Sequence, residues 1–517
     1  MKNMKNKTIL IYISAVIFSL PIFAQQKTSV IQTEEEFQSL MPVTGTVETF
    51  FGDYELDHSF PAVGEGDKIF KLMDHQRASQ LYLWGLPIVA MTTWIEGNRE
   101  VYGCGYNDLL SVKTFNERRG LLTANETTDY YFGASNTKDG AVIVEIPEGL
   151  AVGLVDDMWQ QGITDLGLFG PNSGNGGTHV FIGPNTPPEL IPETKDGQIL
   201  HKVNTNQVFY LLRLLGAPDQ VQKLIGKVEI YNYGSKKPKK VIQGNDKFLA
   251  NYQQRGLDFW KVLHMAINNE EVQDRDRFFM YWLRNLGIEK GKPFNPSPEQ
   301  IEILEDGAKV GELMAKTLVY DERLEGVLRQ NNWRMILGGE WGDGIKNTQR
   351  MKHYDTFDPR ARYNYEAVTT SPAMTIPTPG KAQAYIGKFE DEEGNRLQGG
   401  NNYIIKINGP VPAELFWSTV IYDTDTRCLI DNRKGAHGGK ATVGSKTEGL
   451  RINEDGSYTM LLGPGDPPKG WEANYVQTLS GRGWFPYMRA YGAQKDFFND
   501  AYKFPTINKV KDFSKLD

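Results

Sequence analysis

Two arginines and two potential bases stand close together in the run MKHYDTFDPRARYNYE, residues 351–366. Arg360 and Arg362 are two apart. If the run is a strand, both guanidinium groups point to one face and can grip a single anion. His353 and Tyr354 stand a few residues upstream, where either could take a proton beside an arginine-held carboxylate. Elimination next to a carboxylate asks for a cation that neutralises the acid and a base that removes the adjacent proton. It asks for no nucleophile and no cofactor. The predicted chemistry is that of a lyase or dehydratase on uronic-acid-containing oligosaccharides, with His353, Tyr354, Arg360 and Arg362 as catalytic candidates. Ordinary surface placement of His353 and Tyr354 is the competing reading.

Other chemistries lack their signatures. The chain has no CxxC, HExxH, GxSxG, P-loop or Rossmann glycine pattern, and no histidine pair at metal spacing. No cofactor and no metal is therefore expected. The histidines are His58, His75, His179, His201, His264, His353 and His437. His264 sits in an apolar helical run and reads as core. His179 precedes a Gly-Pro corner and is a substrate-binding candidate. Asp423–Arg427, Asn453–Ser457 and Asp391–Asn395 are acidic, but without the spaced acids and closing Glu of a calcium loop they read as hairpin turns. Asp156 and Asp157 are neighbours; in a strand they face opposite ways and cannot act as a glycosidase pair.

The elements that must position these groups begin with an export signal. Lys2, Lys5 and Lys7 precede an apolar run, Ile9–Phe23, that ends at Ala24. The run is shorter than the roughly 20 residues of a membrane span, so cleavage near Ala24 and a soluble periplasmic or secreted protein are expected. The net charge of −7 is spread along the chain, and Lys236–Lys240 is the one basic cluster, which disfavours nucleic acid as a partner. Cys104 and Cys428 are the two cysteines, either paired or both buried as free thiols.

The chain then repeats itself. YYFGASNTKDGAVIVEIPEG from Tyr130 is echoed by AYIGKFEDEEGNRLQGGNNYIIKINGP from Ala384. THVFIGPNTPP is echoed by YTMLLGPGDPP, and VFYLLRLLGAP by WFPYMRAYGAQ. The last pair places Arg213 and Arg489 alike, just before a Gly-Ala turn. The period of two in Val142–Pro147 and Tyr403–Asn408 marks strands with one buried face. The fold class predicted is mainly β with a helical insert: two antiparallel β-sandwich or jelly-roll-like domains joined by a helical region. The expected division is signal 1–24, N-terminal helical or linker region 25–110, first sandwich 111–243, helical insert 244–372 and second sandwich 373–517. Helices are predicted at His75–Trp94, kinked or ended by Pro87, and at Arg255–Ile267 and Arg277–Ile288. A further helix is expected from Pro298 behind a Ser297/Gln300 capping box.

Phe416–Asn432 (FWSTVIYDTDTRCLIDN) and Asn453–Gly492 resemble the C-terminal half of bacterial proteins that pair two domains of unknown function, numbered 1254 and 1214. Leu121–Ser135 resembles the N-terminal member, with Ala124 where that family usually has Pro. Phe357–Met374 matches the approach to the second domain. The Gly/Trp-rich stretch 338–344 has no counterpart we can place. The resemblance implies two β domains with a helical layer and no settled activity. It singles out Asn125, Tyr131, Tyr363, Trp417, Arg427 and Asn474 beside Arg360 and Arg362, with Asn125, Tyr131, Trp417 and Arg427 as substrate-binding candidates and structural work as the alternative for each. Two other functions stay open: a non-catalytic carbohydrate-binding protein, and a structural envelope protein.

Overall fold

The computed structural model describes residues 33–35, 43–235, 237–321, 327–337, 357–375, 378–514 and 516. The expected signal 1–24, the stretch 338–344, His353 and Tyr354 lie outside the described residues. Two compact units are present, Met1–Leu72 and Met73–Asp517. The first carries a small antiparallel sheet of β1 (Gly45–Thr49), β2 (Gly52–Asp57) and β3 (Phe60–Pro61). Helix α1 spans Glu65–Tyr102.

The second unit mixes α and β, and the repeat in its sequence is a repeat of topology. In the first copy one sheet has the order β13 (Val241–Gln243), β4 (Leu109–Val112), β5 (Tyr130–Asn136), β11 (Gln207–Leu214), β7 (Ala151–Asp157), β8 (Gly162–Gly167). The other has the order β10 (Gln198–Lys202), β9 (Asn175–Ile182), β6 (Val142–Glu148), β12 (Glu229–Asn232). In the second copy the larger sheet runs β14 (Arg334–Met335), β15 (Ala382–Gly387), β21 (Trp484–Ala493), β17 (Ala413–Asp423), β18 (Thr442–Gly444). Its companion runs β20 (Tyr475–Gln477), β19 (Tyr458–Gly463), β16 (Asn402–Ile407), β22 (Thr506–Val510). Apart from β13, which adds an edge strand to the first copy alone, the orders coincide, down to the parallel pairs β9–β10 and β19–β20.

The repeated Gly-Pro corner has a steric cause. Gly183 follows β9, and a Cβ there would lie 2.1 Å from Thr137 Oγ1; Gly463 closes β19, and a Cβ there would lie 2.3 Å from Asn402 Oδ1. At Gly183 a side chain would also meet the Thr205 carbonyl at 2.8 Å, whereas at Gly463 the obstacle is the end of the Asn402 side chain. Within the first copy, Val142, Val144 and Ile146 of β6 share one apolar cluster with Val155, Tyr210 and Leu212 of the other sheet. A larger core is continuous across both copies, joining Phe132, Leu154 and Leu211 to Ile336, Tyr385 and Tyr487.

Between the copies lie α4 (Leu257–Asn269), α5 (Arg277–Asn285) and α6 (Pro298–Tyr320); α2 (Phe115–Arg118) and α3 (Pro218–Lys227) precede them, and α7 (Phe357–Glu366), α8 (Pro372–Thr375) and α9 (Lys495–Phe498) follow. α6 starts with the expected reciprocal cap: Ser297 Oγ accepts from Gln300 N at 3.2 Å, and Gln300 Oε1 accepts from Ser297 N at 2.8 Å.

Three local expectations are corrected. Pro87 does not end its helix, because Trp84, Leu86, Ile88, Val89 and Met91 around it are all buried. Packing on every side outweighs the one backbone bond that proline removes. His264 is half-buried rather than core, with Nε2 2.8 Å from the Lys292 carbonyl. Arg360 and Arg362 lie on helix α7, not on a strand. Cys104 and Cys428 are both buried and unpaired.

Candidate functional site

The central strands β11 and β21 are each flanked on both sides, so side chains on them are held rigidly. Each carries one arginine at the matching place. Arg213 pairs across the ladder with Val152 of β7, and Arg489 with Ser418 of β17. Each guanidinium stacks on a tyrosine of the strand on the other side. Arg213 lies 4.8 Å from the Tyr130 ring centre, and Arg489 lies 4.9 Å from that of Tyr385.

Both arginines line one cavity where the two copies meet. It leaves about 90 Å³ open to the centres of water-sized groups. Trp94, Leu121, Leu154, Leu211, Ile336 and Met374 build much of its wall, and Tyr130, Tyr363, Tyr385 and Tyr487 contribute rings. Among the described residues that line it there is no aspartate and no glutamate. Arg213 is 7% exposed and Arg489 8%. Nε and Nη2 of Arg213 and Nε of Arg489 are buried without a hydrogen-bond partner. Burying a charge without a counter-charge costs several kcal/mol per ion, so this is an expensive arrangement to keep for packing alone.

One other nitrogen of each arginine has a partner. Arg213 Nη1 donates to the Tyr491 hydroxyl at 2.7 Å. Arg489 Nη2 donates to the Tyr422 hydroxyl at 2.9 Å and to the Thr123 carbonyl. Tyr491 also accepts from Asn125 Nδ2 at 2.7 Å. Burial alone would push the Tyr491 phenol up; the charges of Arg213 and Arg489 and these two hydrogen bonds outweigh it and bring it below the ordinary phenol value. Tyr385, Tyr363 and Tyr487 are pushed up by burial and remain protonated donors.

Residues 121–125 connect the copies. Leu122 bridges to Cys428, Thr123 N donates to the Arg427 carbonyl at 2.9 Å, and Tyr422 donates to the Ala124 carbonyl at 2.6 Å. Thr123 has φ +40°, a costly conformation for a β-branched residue. It aims its carbonyl at Arg489 and Tyr422.

The sequence candidates fall in several places. Asn125 stands at the site, holding Tyr491 and Ser418 Oγ (3.3 Å). Tyr131 belongs to the core of the first copy. His179 pairs with His201, Nδ1 to Nε2 at 3.0 Å, and burial brings both rings down to about 4, which keeps them neutral. Trp417 packs in the second copy against Tyr458, ring centres 4.8 Å apart. Arg427 is a clamp: its guanidinium lies 3.9 Å from the Tyr365 ring centre, and Nε donates to the Tyr365 carbonyl at 3.0 Å. Arg360 lies over Phe357, and Arg362 is fully buried with Glu366 Oε1 3.7 Å away. None of Tyr131, His179, Trp417, Arg427, Arg360 and Arg362 lines the cavity. The residues that do the equivalent work, Arg213 and Arg489, carried a sequence signal of their own: arginine at the same place in both copies.

Two family models match the chain. The domain of unknown function 1254 covers residues 106–231 and the domain of unknown function 1214 covers residues 382–495, so the chain carries both, in that order. Each contributes one arginine to the cavity. No curated protein matches. Among solved structures, the chain is similar to the VPA0106 protein from Vibrio parahaemolyticus, with 18% identity and a TM-score of 0.51 over 85% of this chain and all of that one. A putative uncharacterized protein from Burkholderia cenocepacia matches at 10% identity and a TM-score of 0.40, over 86% of this chain and 96% of that one.

Proposed function

We propose that this pairing of the 1254 and 1214 domains is an exported binding protein for a small organic carboxylate, held between Arg213 and Arg489. One observation carries the reading: two buried guanidinium groups line one cavity with unused donors, and the described residues that line it include no acid. A carboxylate supplies the missing charge and accepts two or more hydrogen bonds from planar donors. Each copy is read as a β-sandwich whose paired sheets fix one arginine, so the ligand ties the two copies together. A cavity of this size encloses a small acid and not an oligosaccharide.

Turnover by elimination is the second reading. It is supported by the held carboxylate and by the ionisable Tyr491 one hydrogen bond behind Arg213. It is weakened because Tyr363, Tyr385 and Tyr487, which do line the cavity, are held protonated by burial. Titration calorimetry of the full chain with small carboxylates tests the first reading. Binding should be measurable and should be lost in both Arg213→Met and Arg489→Met. Equal binding in both variants would overturn it. Accumulation of an unsaturated acid, followed by its ultraviolet absorbance, would move the assignment to the lyase.

A further inference from the structure

Which carboxylate fits is written in the rest of the wall. Away from the arginines the cavity is built by Trp94, Leu121, Leu154, Leu211, Ile336 and Met374, none of which can satisfy a hydroxyl except through the indole N–H. Eight other lining side chains carry a hydroxyl or an amide, and several are already engaged: the Tyr385 hydroxyl donates to Gln383, the Tyr363 hydroxyl donates to the Thr369 carbonyl, and the Tyr130 hydroxyl accepts from Asn125 N. A sugar acid would bring a hydroxyl on nearly every carbon into this space. Each hydroxyl buried without a partner weakens binding by about tenfold or more. An apolar body gains instead, by roughly threefold or more per buried methylene.

Size narrows the class further. About 90 Å³ is open to the centres of water-sized groups, space for a small acid. Resting on the reading that Arg213 and Arg489 hold a carboxylate, we infer that the ligand is a monocarboxylate with a compact apolar body, an aromatic or branched-chain acid. The acid group lies between the two arginines, and the body lies against Trp94, Leu154 and Leu211.

The test uses titration calorimetry on the full chain with benzoate, 4-methylpentanoate, acetate, galacturonate and the neutral isostere benzamide. Benzoate and 4-methylpentanoate should bind at least about tenfold tighter than acetate and galacturonate. A Leu154→Thr variant should narrow the gap between benzoate and acetate. Benzamide should bind far more weakly than benzoate. Galacturonate equal to or tighter than benzoate would overturn the inference and leave the carboxylate reading standing. Benzamide equal to benzoate would overturn the carboxylate reading itself. Binding of none of the five would overturn both.

Discussion

Two guanidinium groups and one phenol set the charge of the cavity, and only the phenol titrates, because arginine stays protonated throughout the accessible range. Tyr491 is buried, which favours its neutral form, yet Arg213 and Arg489 lie in its field and Arg213 and Asn125 donate to its oxygen. The net direction is downward, to about 8, so the phenolate becomes an internal counter-ion of the pair only as pH rises through that value with no ligand present. A bound carboxylate takes over that part and repels the phenolate, which then recovers its proton. Binding should therefore take up protons, and affinity should fall as pH rises through the Tyr491 titration. Calorimetry in buffers of different ionisation enthalpy reads the uptake directly. Tyr491→Phe should abolish both the uptake and the pH slope. A slope that survives in that variant would place the titrating group elsewhere.

At the scale of elements, the run Phe357–Glu366 shows what the sequence withheld. An Arg-x-Arg spacing says the same-face pair only if the chain is extended; in helix α7 the two side chains stand roughly 200° apart around the axis. What the helix does align is Arg362 with Glu366, one turn on, both fully buried and 3.7 Å apart. Removing one charge of such a pair typically costs about 3–5 kcal/mol. Glu366→Gln should therefore lower stability by about that much in denaturant unfolding, while the folded fraction binds carboxylate far better than the Arg213 variant does. Loss of binding with unchanged stability would instead make Arg362 part of the site. The strands were more legible. Val142, Val144 and Ile146 fall on one face of their strand, and Tyr403, Ile405 and Ile407 on one face of theirs, because each of those faces meets a core. The capping box before Pro298 is equally local and equally readable. The helix through Pro87 and the convergence of Arg213 with Arg489 were not, since both depend on residues far away in the chain. The matching arginines marked a duplication, and only the meeting of the two copies makes them a site.

Across the whole molecule, buried carboxylates fasten the helical segments to the first copy. Asp156 accepts from Thr370 N at 3.1 Å and Asp165 from Ala373 N at 2.8 Å, holding the chain around α8. Glu270 accepts from Asn206 N at 2.5 Å and Gln207 N at 3.2 Å, joining the end of α4 to the start of β11. Burial pushes all of these acids up: Asp157 and Asp165 to about 6, Glu270 to about 7, and Asp156 well above its ordinary value. A raised acid holds in the folded state a proton that the unfolded chain gives up, so its contribution is full below about pH 4 and is lost as pH rises toward about 7. His179 and His201, brought down to about 4, work in the opposite sense over part of that window. The acids outnumber them and are the more deeply buried. Asp425, held at about 2 chiefly by its hydrogen bond from Arg255, loses its contribution only in stronger acid. Stability should thus peak near about pH 4–5 and fall by a few kcal/mol on the way to about pH 7. Urea unfolding at the two ends of that range measures the drop, and Asp165→Asn, which keeps the size but cannot ionise, should flatten it. A wild-type protein that grows more stable between about pH 5 and pH 7 would mean that the histidine pair, not the acids, governs how the folded state responds to protons.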